Sequence, residues 1–210
     1  MKNIIKEIKQ FEKEYRKYVF DPDYEQAAVF GENIDDRRFD FIHMIERASR
    51  SIFVAGQALY YLTKEDGRSS KFMDQIFSFL KKDRENTVRI LVCDPEVCHA
   101  VKTWQEVSAK EHKKYLESSI VVFKKWLTEA EKDPVIKERL EIKKTDFIPV
   151  SVTFVDYDCN NQRGICVLIP NMFERTHERP YYVISEKVHE STFKKYRSDY
   201  IFVWDCSRSL

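Results

Sequence analysis

Two short apolar runs, SIFVAG at 51–56 and VRILVCDP at 88–95, flank a single amphipathic stretch, and this arrangement constrains the fold more than any other feature of the chain. Both runs are rich in β-branched and aromatic residues. Each stops at a breaker, Gly56 in the first and Pro95 in the second, as strands buried on both faces do. Between them Asp66-Gly67 marks a turn, Ser69 or Ser70 can cap a helix, and Phe72, Ile76, Phe79 and Leu80 share one helical face. Strand, helix, strand with short connections predicts a right-handed parallel βαβ unit.

The rest of the chain extends this α/β plan. Residues 3–18 place Ile4, Ile8, Phe11, Tyr15 and Tyr18 on a narrow seam among Lys and Glu, which predicts an amphipathic helix over about residues 1–20. A second helix is expected at 36–49, with Phe39, Ile42, Ile45 and Ala48 inward. From Val97 to Glu138 the pattern is helical, with Trp104, Val107, Leu116, Ile120, Phe123, Trp126 and Leu127 as core candidates and a break at Asp133-Pro134. LEIKKTDFIP reads as a strand. PVSVTFVDYD and ICVLIP, joined by the polar CNNQRG, read as a hairpin, and YYVIS as a further strand. Val188–Arg197 predicts a short helix, and YIFVW a terminal strand or helix edge.

Composition narrows the functional classes. Lys plus Arg (36) nearly cancels Asp plus Glu (35), so the bulk positive field of a dedicated duplex-DNA binder is missing and nucleic acid is not the expected partner. The longest apolar runs fall far short of a membrane span, and the charged N-terminus does not read as a signal peptide, which predicts a cytoplasmic protein with no membrane association. The four glycines, Gly31, Gly56, Gly67 and Gly164, cannot build a G-x-G-x-x-G or Walker loop, so dinucleotide and P-loop chemistry are set aside. Five cysteines without a C-x-x-C pair predict buried thiols and neither disulfides nor a metal site. No cofactor is expected.

The order helix, SIFVAGQAL, helix, VRILVCDPE, long helix, then a strand closing on Asp156 resembles a phospholipase D-like domain over roughly residues 36–207. It is similar in particular to the histidine-lacking versions in bacterial regulatory proteins. The resemblance implies a mixed sheet flanked by helices, here with the extra N-terminal helix. Active members carry H-x-K-x(4)-D, the histidine attacking phosphorus and the lysine holding a phosphate oxygen. Counting back from Asp156 puts Pro149 at the histidine and Ser151 at the lysine. Neither residue can do that chemistry. Asp156 is then expected to be structural, accepting hydrogen bonds from the turn that follows it. The other H-x-K, His112-Lys113-Lys114, reads as a solvated helix face.

In open α/β sheets ligands bind beyond the carboxyl ends of the parallel strands. This selects Gly56, Gln57 and Asp94, with Ser151 facing the same cleft if the motif aligns. Arg175, His177 and Arg179 alternate in MFERTHERPYY and would form one anion-binding face on a strand. The expectation is a non-catalytic sensor or regulatory module that binds a small anionic or nucleotide-like ligand or a protein partner. One alternative is a metal-independent phosphodiesterase or nuclease with a rearranged site, for which His177 is the catalytic candidate. The other is a homodimeric interaction or scaffold protein that uses the N-terminal seam.

Overall fold

The computed structural model describes residues 29–31, 41–63, 68–98, 106–148, 150–159, 163–170 and 181–210. In chain order the elements are β1 (Val29–Gly31), α1 (Phe41–Arg47), β2 (Ser51–Gly56), α2 (Tyr60–Thr63), α3 (Arg68–Lys82), β3 (Thr87–Cys93) and α4 (Glu106–Ala130). There follow α5 (Pro134–Lys137), β4 (Leu140–Thr145), β5 (Val150–Val155), β6 (Ile165–Pro170), β7 (Tyr181–Ser185), α6 (Glu190–Asp205) and β8 (Arg208–Ser209). The strands form one mixed eight-stranded sheet in the order β1-β7-β6-β5-β2-β3-β4-β8.

The expected βαβ unit is present: β2 and β3 pair in parallel, Ser51 with Thr87 through Gly56 with Val92, and β4 adds in parallel to β3. β5 then pairs antiparallel with the other side of β2, and β5, β6 and β7 form an antiparallel meander. The parallel strands read as continuous apolar runs because the sheet is covered on both faces. Ile52, Val54, Val88, Ile90 and Val92 enter one core with Phe72, Ile76, Leu80, Phe123 and Trp126 of α3 and α4. Their alternates Phe53, Ala55, Leu91 and Cys93 enter a second core, closed by Phe193, Tyr200 and Trp204 of α6.

Phe53 is the hub of that second core. Its ring lies 5.7 to 6.2 Å from those of Phe154, Tyr157, Tyr200 and Trp204, all edge-on, the geometry that ring quadrupoles favour. Trp204 is in turn flanked by Lys143 at 4.6 Å and Arg89 at 5.4 Å from its centroid.

Several expectations are corrected. Of the two readings open for YIFVW, strand or helix edge, the helical one holds: it is the second half of α6, because Phe193, Tyr200 and Trp204 at i, i+7 and i+11 bury one helical stripe. Residues 94–98 form a hydrogen-bonded turn instead of the start of a helix, Val97 N–H and Cys98 N–H both donating to Asp94 O. β4 stops at Thr145, short of the expected Pro149. His112 is buried, since it shares the inner stripe of α4 with Leu116, Ser119 and Phe123. The edge strands β1 and β8 were not expected and extend the sheet past residues 36–207. The break at Asp133 is confirmed: its carboxylate accepts from Val135 N–H and caps α5, with Pro134 at the first helical position. The N-terminal seam and Trp104 lie outside the described residues.

Candidate functional site

Three parallel strands end at one edge of the sheet, and the antiparallel β5 begins there. Cys93 N–H donates to Gln57 O at 3.0 Å and Asp94 N–H to Thr145 O at 2.8 Å, which ties the ends of β2, β3 and β4 together. The Gln57 side-chain amide donates to Ile148 O at 3.3 Å, just ahead of β5. With Ala55 opposite Val152, Ser151 falls beside Gly56. A Cβ built on Gly56 would lie 3.1 Å from Ser151 Oγ and 2.5 Å from Leu59 Cδ2. The close approach that glycine permits at this position is therefore made by Leu59 and Ser151. Tyr200 Oη donates to Val150 O and supports the start of β5 from the α6 side.

Asp94 anchors the charges of this edge. Its side chain is 5% exposed, and one carboxylate oxygen meets Lys144 Nζ at 2.9 Å and Arg208 Nη2 at 3.3 Å. The other oxygen accepts from Glu96 N–H at 3.1 Å. Burial pushes the carboxyl's pKa up, but the Lys144 ammonium, the Glu96 amide and the Arg208 guanidinium together outweigh it and hold the group below its ordinary value. Arg208 also reaches Asp146 at 2.9 Å. Asp94 is thus the counter-ion that holds Lys144 and Arg208 at the edge. Neither cation was singled out in the sequence. Arg208 comes from the unexpected β8, and Lys144 looked like one polar residue of an amphipathic strand.

Asp156 sits at the opposite end of β5. Its backbone is left-handed, φ 52°, and its carboxylate accepts from the N–H groups of Ser49, Arg50 and Ser51 and from Ser49 Oγ. Asp156 accepts hydrogen bonds as expected, but the donors lie in the loop before β2 and at its first residue, Ser51, and not in the turn after β5.

Of the expected ligand-binding residues, Gly56, Gln57, Asp94 and Ser151 come together at this edge. Arg175, His177 and Arg179 lie outside the described residues; the segment that carries them leaves from Pro170 and returns at Tyr181. Pro170 pairs with Val150 and Tyr181 with Gly31, so both anchors are at the same edge. Among the described residues no cluster of three or more His, Cys, Asp or Glu is placed to hold a metal ion, and no helix is long and apolar enough to cross a membrane.

The chain matches no family model and no curated protein sequence. Solved structures do share its fold. One is the archaeal chromatin protein TrmBL2, whose structure shows a novel mode of DNA binding: TM-score 0.51, 12% identity, 99% of this chain aligned with 64% of that one. Another is a phosphatidylserine synthase of Haemophilus influenzae Rd KW20, a phospholipase D superfamily protein: TM-score 0.51, 12% identity, 88% of this chain aligned with 39% of that one. The chain therefore spans under two thirds of each, and the similarity to the synthase supports a phospholipase D-like fold.

Proposed function

We propose that this chain is a non-catalytic phospholipase D-like module that binds a small anionic or nucleotide-like ligand at the edge formed by Gln57, Asp94, Lys144, Ser151 and Arg208. The observation that carries this reading is the placement of Ser151. Ser151 lies beside Gly56, and on the proposed motif alignment it takes the position of an active member's lysine, so the strand would supply no cation there and, with Pro149 at the histidine position, no nucleophile. The positive charge has another source in Lys144 and Arg208, held at the edge by Asp94. A phosphate or carboxylate would replace Asp146 as the second acceptor of the Arg208 fork. Arg175, His177 and Arg179, on the segment anchored at the same edge, would add to this charge.

A regulatory role fits such a site, because a ligand bound without turnover acts only by favouring the state that holds it. The DNA binding of the archaeal neighbour belongs to a longer protein, and the near-zero net charge of this chain gives no bulk field for a duplex. The test is thermal unfolding of the wild type with pyrophosphate, a mononucleotide or duplex DNA. Stabilisation by the small anions that is lost in Arg208→Ala and Lys144→Ala supports the reading. Stabilisation by DNA alone, or equal stabilisation of all variants, overturns it.

A further inference from the structure

Lys144 and Arg208 stand directly opposite each other in the β4–β8 ladder, so their side chains leave the sheet on the same face, and both reach Asp94. The connection that leaves β4 beside them, residues 146–148, is held at both ends. Asp146 accepts from Arg208 Nη2 at 2.9 Å, and Ile148 is 0% exposed with its carbonyl accepting from the Gln57 amide. Between these two anchors Phe147 is presented to solvent, 48% exposed. Its Cα is one residue from that of Asp146, which puts it no more than about 10 Å from the Arg208 guanidinium. One nucleotide spans such a distance between base and phosphate.

Given the anion site at Lys144 and Arg208, on which this reading rests, we propose that Phe147 determines its specificity and that the ligand is a nucleotide. The base stacks on the solvent-facing side of the ring while the phosphates replace Asp146 on Arg208. Every base has a π face, and a phenyl ring offers no hydrogen-bonding group, so the ring selects nucleotides over inorganic phosphate and simple carboxylates without choosing among bases.

Position, more than exposure, carries this assignment, since apolar side chains scattered singly over a surface are ordinary. The backbone on either side of Phe147 is tied to Arg208 and Gln57, two residues of the anion edge itself. The charges agree with it. Asp94 and Asp146 balance the two cations, and Asp146 is 69% exposed. Once a phosphate takes its place, Asp94 alone faces both Lys144 and Arg208, which leaves one positive charge for the ligand.

Isothermal titration calorimetry with ADP and with pyrophosphate, on the wild type, Phe147→Ala and Phe147→Leu, provides the test. The wild type is expected to bind ADP about tenfold more tightly than pyrophosphate, the effect of one base–aromatic stack. Both variants should lose that advantage and keep their affinity for pyrophosphate, which also reports that they are folded. Leucine retains apolar bulk, so the loss in Phe147→Leu isolates the ring face. Equal affinities for the two ligands in the wild type, or an ADP advantage that survives in both variants, overturn the role of Phe147 and leave the anion site standing. An equal loss of both ligands in the variants makes Phe147 a structural residue and overturns it as well. Binding of neither ligand by the wild type removes the anion site and the nucleotide together.

Discussion

The carboxylate of Asp156 accepts two hydrogen bonds from the backbone N–H of Ser49, at 2.9 and 3.1 Å, across 107 positions of sequence. Together with Arg50 N–H at 2.8 Å and Ser51 N–H at 3.3 Å, this fixes the loop that launches β2 against the end of β5. The sheet is antiparallel at this junction, and the bonds lock its register where the backbone ladder ends. Asp156→Ala removes charge-assisted bonds and orphans the buried Ser51 amide, so a loss of about 3 kcal/mol is expected. Asp156→Asn keeps one acceptor and tolerates the left-handed backbone, so about 1 kcal/mol is expected. Urea denaturation of the two variants measures the difference, and equal losses would refute the staple.

Asp94 predicts an acid limb in stability. Its folded pKa is lowered, so its contribution is complete above the unfolded value of about 3.9 and is lost as pH falls through the lower folded value. Asp94→Asn should be less stable than wild type at pH 7, and the gap should narrow below about pH 4. Denaturation midpoints at several pH values provide the check; a gap independent of pH would contradict the ion network.

Phe53 predicts the cost of emptying the aromatic core. The ring touches four others and is 1% exposed, and the surrounding rings are too rigid to refill its space. Phe53→Ala should cost about 3–5 kcal/mol, read from the shift in denaturation midpoint. A loss near that of a surface substitution would mean that the core collapses around the gap.

Gly164 predicts a steric limit at the start of β6. An added Cβ would lie 2.5 Å from Phe193 Cζ and 2.8 Å from Glu186 Oε2, and Phe193, on the inner face of α6, is fully buried. Gly164→Ala should destabilise by about 1–3 kcal/mol. Adding Phe193→Leu, which removes the clashing ring atoms, should recover part of that loss. Additive losses in the double variant would argue against the clash.

The central sheet was legible because its strands announce themselves locally. SIFVAG and VRILVC are apolar throughout, and a sheet covered on both faces requires that pattern. Asp133-Pro134 was readable for a similar reason, a cap and a proline acting within one turn. β1 and β8 were not, since three-residue and two-residue edge strands exist only through pairing with β7 and β4 and carry no period of their own. YIFVW stayed ambiguous between strand and helix because its β-prone residues hide a stripe that becomes visible only with Phe193, seven residues before Tyr200. At the candidate site strand ends pointed to Gly56, Gln57 and Asp94, and the motif alignment to Ser151. The sequence did not reveal that Asp94 faces Lys144 and Arg208, or that Leu59 packs over Gly56, because both depend on side chains meeting across the fold.

The most direct test of the central claim is phosphodiester turnover by the folded wild-type chain, with bis(4-nitrophenyl) phosphate as substrate, with and without chelator. On the proposed alignment of Pro149 and Ser151 with the signature positions, the account predicts release no faster than in buffer. Turnover abolished by His177→Ala would contradict it and make the chain an enzyme with a relocated nucleophile.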